Sequence, residues 1–224
     1  MHQPKQKANL HAEIITRKRV ADHGEVFTNP REIRLMMAQI AELTLIETRV
    51  LEPACGNGNF LYEILKEKLR NIARAVRNDS YQNDQKMIAA VASVYGIDLL
   101  QDNVFQCRAR LETLCESEYE KITKTSLPDQ HLDVIKLILS KNVVRGNALT
   151  MRSIGRVKKP IIFSEWTFVT RDMVKRRDYE LANLASQSNN KKSVYVSDLE
   201  RPETIPNPVA TYPVRHFLEL TLDA

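Results

Sequence analysis

The sequence predicts an α/β fold built on a mostly parallel sheet. Three observations carry that reading. Short apolar, β-branched runs alternate with longer helical patterns between residues 30 and 170. Two of only six glycines stand two apart in "LEPACGNGNF" (51–60), directly after one of those runs. Acidic or polar residues then close each later run, at Asp98, at Asn147 and at Ser164-Glu165-Trp166. In a parallel α/β sheet, ligands bind beyond the carboxyl ends of the strands, which is where these features fall.

The elements follow in order. Residues 1 to 22 are polar, with a basic cluster at Arg17-Lys18-Arg19. In "GEVFTNPREI" (24–33), Thr28 or Asn29 caps a helix and Pro30 takes its first position. That helix runs to about Leu45, with Ile33, Met36, Met37, Ile40 and Leu43 inward. "TRVLEP" (48–53) is a short buried strand. The Gly loop follows, then a helix from Phe60 to Arg77 and a loop at 78–84. "QKMIAAVASV" is a helix and "VYGIDL" (94–99) a second strand. A long helix carries Val104, Cys107, Leu111 and Leu114 on one side. After the loop "TSLPDQ", "HLDVIKLILSKN" is a further helix. "VVRGNAL" (143–149) is a third strand with its loop, and "KPIIFSEWTFV" (159–169) contains a fourth.

Beyond residue 170 the pattern changes. Residues 173–193 are basic and then polar, which predicts a mobile segment. "VYVSDL" and "VRHFLELTL" read as strands, separated by turns at Pro202, Pro206, Pro208 and Pro213. The expected division is a basic segment over 1–22, an α/β domain over 23–170, and a basic flexible segment with C-terminal strands over 171–224.

Composition narrows the class. The chain has 224 residues, is 43% hydrophobic and 27% charged, and carries a net charge of +5. That suits one globular domain with a full core and mildly favours an anionic partner. Cys55, Cys107 and Cys115 are odd in number and form no CxxC pair. They predict a reducing, cytoplasmic setting, with no disulfide framework and no metal site. The polar N-terminus and the lack of any apolar run near ~18 residues predict no leader and no membrane span.

Taken singly, each site feature has an ordinary reading. A lone GxG is a turn or a ligand loop. Gly56 and Gly58 would let a backbone approach a ligand where a Cβ would clash. Asp98 accepts hydrogen bonds from a ribose diol or caps the next helix. Asn147 is a turn residue or an acceptor, and Trp166 a packing aromatic or a stacking platform. Their joint order favours a site.

At these residues the chain resembles the amino-type DNA methyltransferases. "LEPACGNGNFL" is similar to their cofactor loop, D/E-P-A-C-G-S-G-x-F-L. "GEVFTNP" resembles their G-E-x-F-T-P, "YGIDLLQDNVFQCRARL" their acidic motif and helix, and "NVVRGNAL" their N-x-x-x-G-D-A-L. The resemblance spans about residues 23 to 150. It implies a Rossmann-like, S-adenosylmethionine-dependent methyltransferase fold, truncated or variant at its C-terminus. It further implies that Thr28 contacts the methionine carboxylate and that Glu52, Ala54, Gly56 and Gly58 form the cofactor loop. Asp98 would hold the ribose hydroxyls, Leu99 the adenine face, and Asn147 the adenine amino group, where the family has Asp. Cys55 is a small buried side chain and not a nucleophile.

The resemblance stops at the catalytic N/D-P-P-Y/F, which occurs nowhere in the chain. That tetrapeptide orients the target amine and stacks on a flipped base. "IIFSEWTF" stands in its place, as a variant site or a site that lost its chemistry. In the first case Ser164 and Glu165 orient the amine and Trp166 stacks. Lys175, Arg176, Arg177, Arg171, Lys191 and Lys192 would meet phosphates or form a solvated loop. The expected activity is DNA methylation, at adenine N6, in a restriction-modification or mobile-element setting. The competing readings are a methyltransferase-like subunit acting through a protein partner that supplies target recognition, and a methyltransferase for RNA or a small molecule.

Overall fold

The computed structural model describes residues 30–75, 80–188 and 206–223. The segment holding Thr28, the N-terminal basic cluster, Lys191, Lys192 and "VYVSDL" lies outside the described residues.

The first helix, α1 (Pro30–Gln39), is followed by a 3-10 turn over Ala41–Thr44. Ile33 and Met37 are buried, whereas Met36 and Ile40 face outward, so the inner face is narrower than its periodicity predicts. Strand β1 (Val50–Glu52) leads through the Gly loop into α2 (Asn59–Ala75). Leu61, Ile64, Leu65, Leu69 and Ile72 fall at helical spacing and form its buried stripe. Helix α3 (Ser80–Ala92) returns the chain to β2 (Val94–Asp98). Helices α4 (Gln101–Thr123) and α5 (Asp129–Asn142) then lead to β3 (Val143–Arg145). Lys124 ends α4 in the left-handed conformation, φ 63°, and its N–H closes on the Glu120 carbonyl.

These strands pair in the order β1-β2-β3, all parallel, with Val50 opposite Val94 and Gly96 opposite Val143. Each crossover contains two helices, which matches the spacing parallel strands require. The first four residues of β2 are buried, as expected of a central strand covered on both faces. The described chain is thus mixed α/β around a three-stranded parallel sheet.

The fourth strand departs from expectation. β4 (Ile162–Phe168) does not extend the parallel sheet. It pairs antiparallel with β5 (Met173–Glu180), Ser164 opposite Asp178. The segment expected to be a mobile basic loop is therefore mostly β5 and α6 (Leu181–Ser188). Charge hid the strand: its inward positions are Val174, Arg176 and Asp178, and only the first is apolar. The buried pair is satisfied internally. Arg176 Nη2 donates to Asp178 Oδ2 at 2.9 Å, and Ser164 Oγ donates to Asp178 Oδ1 at 2.6 Å. The Arg176 guanidinium also lies over the rings of Trp166 and Tyr212, 5.4 and 4.0 Å from their centroids. Short strands β6 (Ala210–Thr211) and β7 (Arg215–His216) add to β5. A 3-10 segment, Phe217–Asp223, stands where a strand was expected. Val174, Phe217 and Leu220 join the buried cluster formed by α2 to α5, so the core continues past residue 170.

Lys68 is buried in that core. Its Nζ donates to the Thr48 carbonyl at 2.5 Å and to Ser93 Oγ at 2.6 Å, which ties α2 to the chain entering β1 and β2. Burial lowers its pKa to about 8.

Candidate functional site

The loop between β1 and α2 is shaped by two glycines in the left-handed region, Gly56 at φ 52° and Gly58 at φ 86°. The Gly58 N–H donates to the Cys55 carbonyl at 2.8 Å, and the Cys55 N–H to the Ile97 carbonyl at 2.9 Å. The loop is thereby tied back onto β2. A Cβ on Gly58 would stand 2.5 Å from Cys107 Sγ on α4, so loop and helix touch through bare backbone. A Cβ on Gly56 would meet nothing within 4 Å. Gly56 therefore faces open space, and its conformation, not crowding, is what asks for glycine.

Glu52 ends β1 half-buried. Burial raises its pKa, opposed by the Ala54 N–H, which donates to Oε1 at 3.4 Å. Ala54 itself is exposed at the loop surface. Beneath the loop, Cys55 is buried. Its thiol pKa is pushed up, first by its hydrogen bond with Cys107 and then by burial, so it stays protonated and is no nucleophile.

Asp98 closes β2 and joins three segments. Its Oδ2 accepts from the Gly56 N–H at 2.9 Å. Its Oδ1 accepts from the Leu100 N–H at 2.9 Å and from Asn103 Nδ2 at 3.1 Å. The carboxylate thus caps the approach to α4 and holds the loop at once. An ionised carboxylate offers about four acceptor directions, so about one remains on Oδ2. Leu99 is exposed beside it, and its carbonyl accepts from Arg145 Nε at 3.1 Å. Asn147 follows β3 and behaves as a turn residue. Its Oδ1 accepts from the N–H groups of Leu149 and Thr150 at 2.9 and 3.1 Å. The structure therefore brings Glu52, Ala54, Gly56, Gly58, Asp98 and Leu99 to one strand end, with Asn147 two residues past β3. That surface combines a glycine backbone facing open space, an acceptor and an apolar side chain. It suits a ligand with a diol and a flat ring.

Ser164, Glu165 and Trp166 lie elsewhere. The approach to β4 starts beside the carboxyl ends of the parallel strands, where the Ile161 N–H donates to the Met151 carbonyl. The strand then runs toward their amino ends. Tyr95 Oη, early in β2, donates to the Ser164 carbonyl at 3.0 Å. Glu165 pairs with Arg49, the residue before β1, at 2.8 Å and with Arg177 at 3.2 Å. Trp166 Nε1 donates to Asn142 Oδ1, the residue before β3, at 3.1 Å. The length of β2, about 13 Å, separates those amino ends from Asp98. Ser164 and Trp166 are moreover buried in the Arg176–Asp178 network, and Trp166 packs as a core aromatic. The expected amine-orienting trio does not face the Gly loop. Two of the three basic residues of β5 depart from expectation likewise. Arg176 is buried and Arg177 is paired, so neither is a free phosphate ligand.

Arg110 escaped notice in the sequence. Its Nη1 donates to the Asn57 carbonyl at 2.8 Å and to Asn59 Oδ1 at 2.7 Å, and its guanidinium lies over the Tyr62 ring. It holds the loop from the side of α4. Arg110 and Asn103 sit two turns apart on α4 with Cys107 between them, and that spacing is the signal available. Among the described residues no His, Cys, Asp or Glu cluster could hold a metal, and no helix is long and apolar enough to cross a membrane.

Residues 25–160 match the family described as MmeI, DNA-methyltransferase domain. No curated protein and no solved structure matches the chain. The matched region takes in the parallel sheet, the Gly loop, Asp98 and Asn147, and it ends just before β4. It covers three fifths of the sequence, and the chain belongs to this family of restriction-modification DNA methyltransferases.

Proposed function

We propose that the chain binds S-adenosylmethionine at the carboxyl end of its parallel sheet and serves methylation of DNA at adenine N6. One observation carries the reading: the Asp98 carboxylate holds the Gly56 N–H at 2.9 Å, so acceptor and glycine loop form one preorganised surface. The residues fit the cofactor. The backbone at Gly56 opens on free space, Oδ2 of Asp98 keeps an acceptor direction for a ribose hydroxyl, and Leu99 offers apolar surface for a ring. Glu52 and Ala54 flank the same loop, and Thr28, outside the described residues, would contact the methionine carboxylate. When bound, the cofactor supplies an activated methyl group. The chain's own part is to hold the cofactor and keep the Gly loop in place, with Arg110 and Asn103 as positioning residues. Residues 23–170 would be the methyltransferase unit, completed by the segments after it, in a cytoplasmic protein.

A second reading draws support from β4. Ser164, Glu165 and Trp166 are engaged with Asp178, Arg49 and Asn142, away from the Gly loop, and no N/D-P-P-Y/F occurs in the chain. These facts favour a cofactor-holding subunit whose amine-orienting groups and target recognition come from a protein partner. Calorimetric titration with S-adenosylmethionine tests the shared premise. Binding by the wild type, lost in Asp98→Ala, is expected, and no binding by the wild type refutes it. Labelled-methyl transfer to duplex DNA by the isolated chain then separates the readings, since transfer removes the need for a partner.

A further inference from the structure

From Val134 to Ser164 the chain contains no Asp or Glu. The second half of that stretch is the excursion between β3 and β4, and it carries Arg152, Arg156, Lys158 and Lys159, all exposed. Its base is ordered by hydrogen bonds. The Asn147 N–H donates to the Arg152 carbonyl at 2.8 Å, the Ser153 N–H to the Lys159 carbonyl at 2.8 Å, and the Lys159 N–H to Ser153 Oγ at 3.0 Å. Arg152 Nη1 donates to the Lys158 carbonyl at 3.0 Å, so this cation braces the excursion. Arg156, Lys158 and Lys159 have no carboxylate within salt-bridge distance among the described residues. On β5, by comparison, Arg176 pairs with Asp178 and Arg177 with Glu165, which Arg49 shares, and Lys175 alone has no such pair among the described residues.

The excursion is rooted beside the Gly loop. The Gly146 N–H donates to the Asp98 carbonyl at 2.9 Å, and the Asp98 side chain holds Gly56. Five residues separate Ile161 from Arg156, so the tip reaches at most about 18 Å from the strand end. Along one DNA strand that length corresponds to about five nucleotides. A duplex whose target base was drawn toward the loop would thus keep its flanking phosphates within reach of these cations. Val157 is 72% exposed between Arg156 and Lys158.

We infer that this excursion, through Arg156, Lys158 and Lys159, is the surface that grips the phosphates of duplex DNA flanking the target base. The inference rests on the reading of the chain as a DNA-methylating domain and assigns its substrate contact. The excursion neutralises backbone charge and reads no base edge, so its contribution is independent of sequence. It occupies the role first expected of the cations on β5.

The test is fluorescence anisotropy on the full chain with a labelled duplex of about three helical turns, from about 50 to 200 mM salt. The triple variant Arg156→Ala, Lys158→Ala, Lys159→Ala is compared with the wild type. Arg152 stays, because it braces the backbone. The slope of log affinity against log salt falls by roughly 2 to 3 in the variant, and affinity at low salt falls at least about tenfold. A second variant, Arg156→Lys in the otherwise wild-type chain, keeps the slope. Melting temperature and cofactor titration stay unchanged in both, which excludes loss of fold. An unchanged slope in the triple variant overturns the inference while leaving the function intact. Absence of duplex binding by the wild type also overturns it, and the cofactor titration then judges the function separately. Tighter binding to duplex RNA, with the same loss of slope, would overturn DNA as the partner.

Discussion

Replacing Gly58 by alanine probes the contact on which the loop geometry depends. Two costs arise, and the structure separates them. At φ 86° an alanine backbone is strained by roughly 1 to 2 kcal/mol. The new Cβ also stands 2.5 Å from Cys107 Sγ, where carbon and sulfur need about 3.5 Å or more, and such overpacking costs typically 1 to 3 kcal/mol. The total is about 2 to 5 kcal/mol. The second part depends on a single atom, so Cys107→Ala removes most of it; the Cys107 Cβ at 3.2 Å remains. Urea unfolding of the wild type, both single variants and the double variant gives the coupling energy. Gly58→Ala is expected to be at least about 1 kcal/mol less damaging in the Cys107→Ala background. Equal costs in both backgrounds, within about 0.5 kcal/mol, would refute the claim that loop and helix meet at this contact.

Three further outcomes are expected. Lys68 has a folded pKa lowered to about 8, so between about pH 8 and pH 10.4 the unfolded chain binds more protons and stability rises with pH. The rise is up to about 3 kcal/mol; it is absent below pH 8, where both states are protonated, and absent in Lys68→Met, as urea midpoints near pH 7.5 and 10 would show. Asp178→Ala leaves the buried Arg176 unpaired and lowers stability by about 3 to 5 kcal/mol, read as a fall in melting temperature. Glu165→Gln loosens partly exposed ion pairs to Arg49 and Arg177, costs less than about 1 kcal/mol, and leaves the cofactor titration unchanged.

The parallel half of the fold is legible because its signals are local. The runs at 50–52 and 94–98 are apolar up to a closing carboxylate, and Leu61 to Ile72 repeat at helical spacing. Gly56 and Gly58 mark a loop whose backbone takes positive φ at both positions. The direction of β4 has no local signature. "IIFSEWTF" reads alike in a parallel and an antiparallel pair, and only its partner β5 decides. β5 itself was masked by the inward Arg176 and Asp178, a pair whose burial depends on mutual neutralisation that no single residue reveals. Asn147 shows a further limit. A polar residue after a strand looks the same whether it waits for a ligand or bonds its own turn, and here its Oδ1 holds Leu149 and Thr150.

The three thiols are all buried, two of them at the meeting of the Gly loop and α4 and the third, Cys115, farther along that helix. A thiol-reactive dye reaches none of them until the structure opens, and its rate of attachment then becomes a clock. At Cys55 and Cys107 the clock times parting of the loop from the helix. At Cys115 it times release of the helix from the core. A small molecule seated on the loop slows the first two and leaves the third to the stability of the whole, so one labelling experiment distinguishes a tightened loop from a tightened protein.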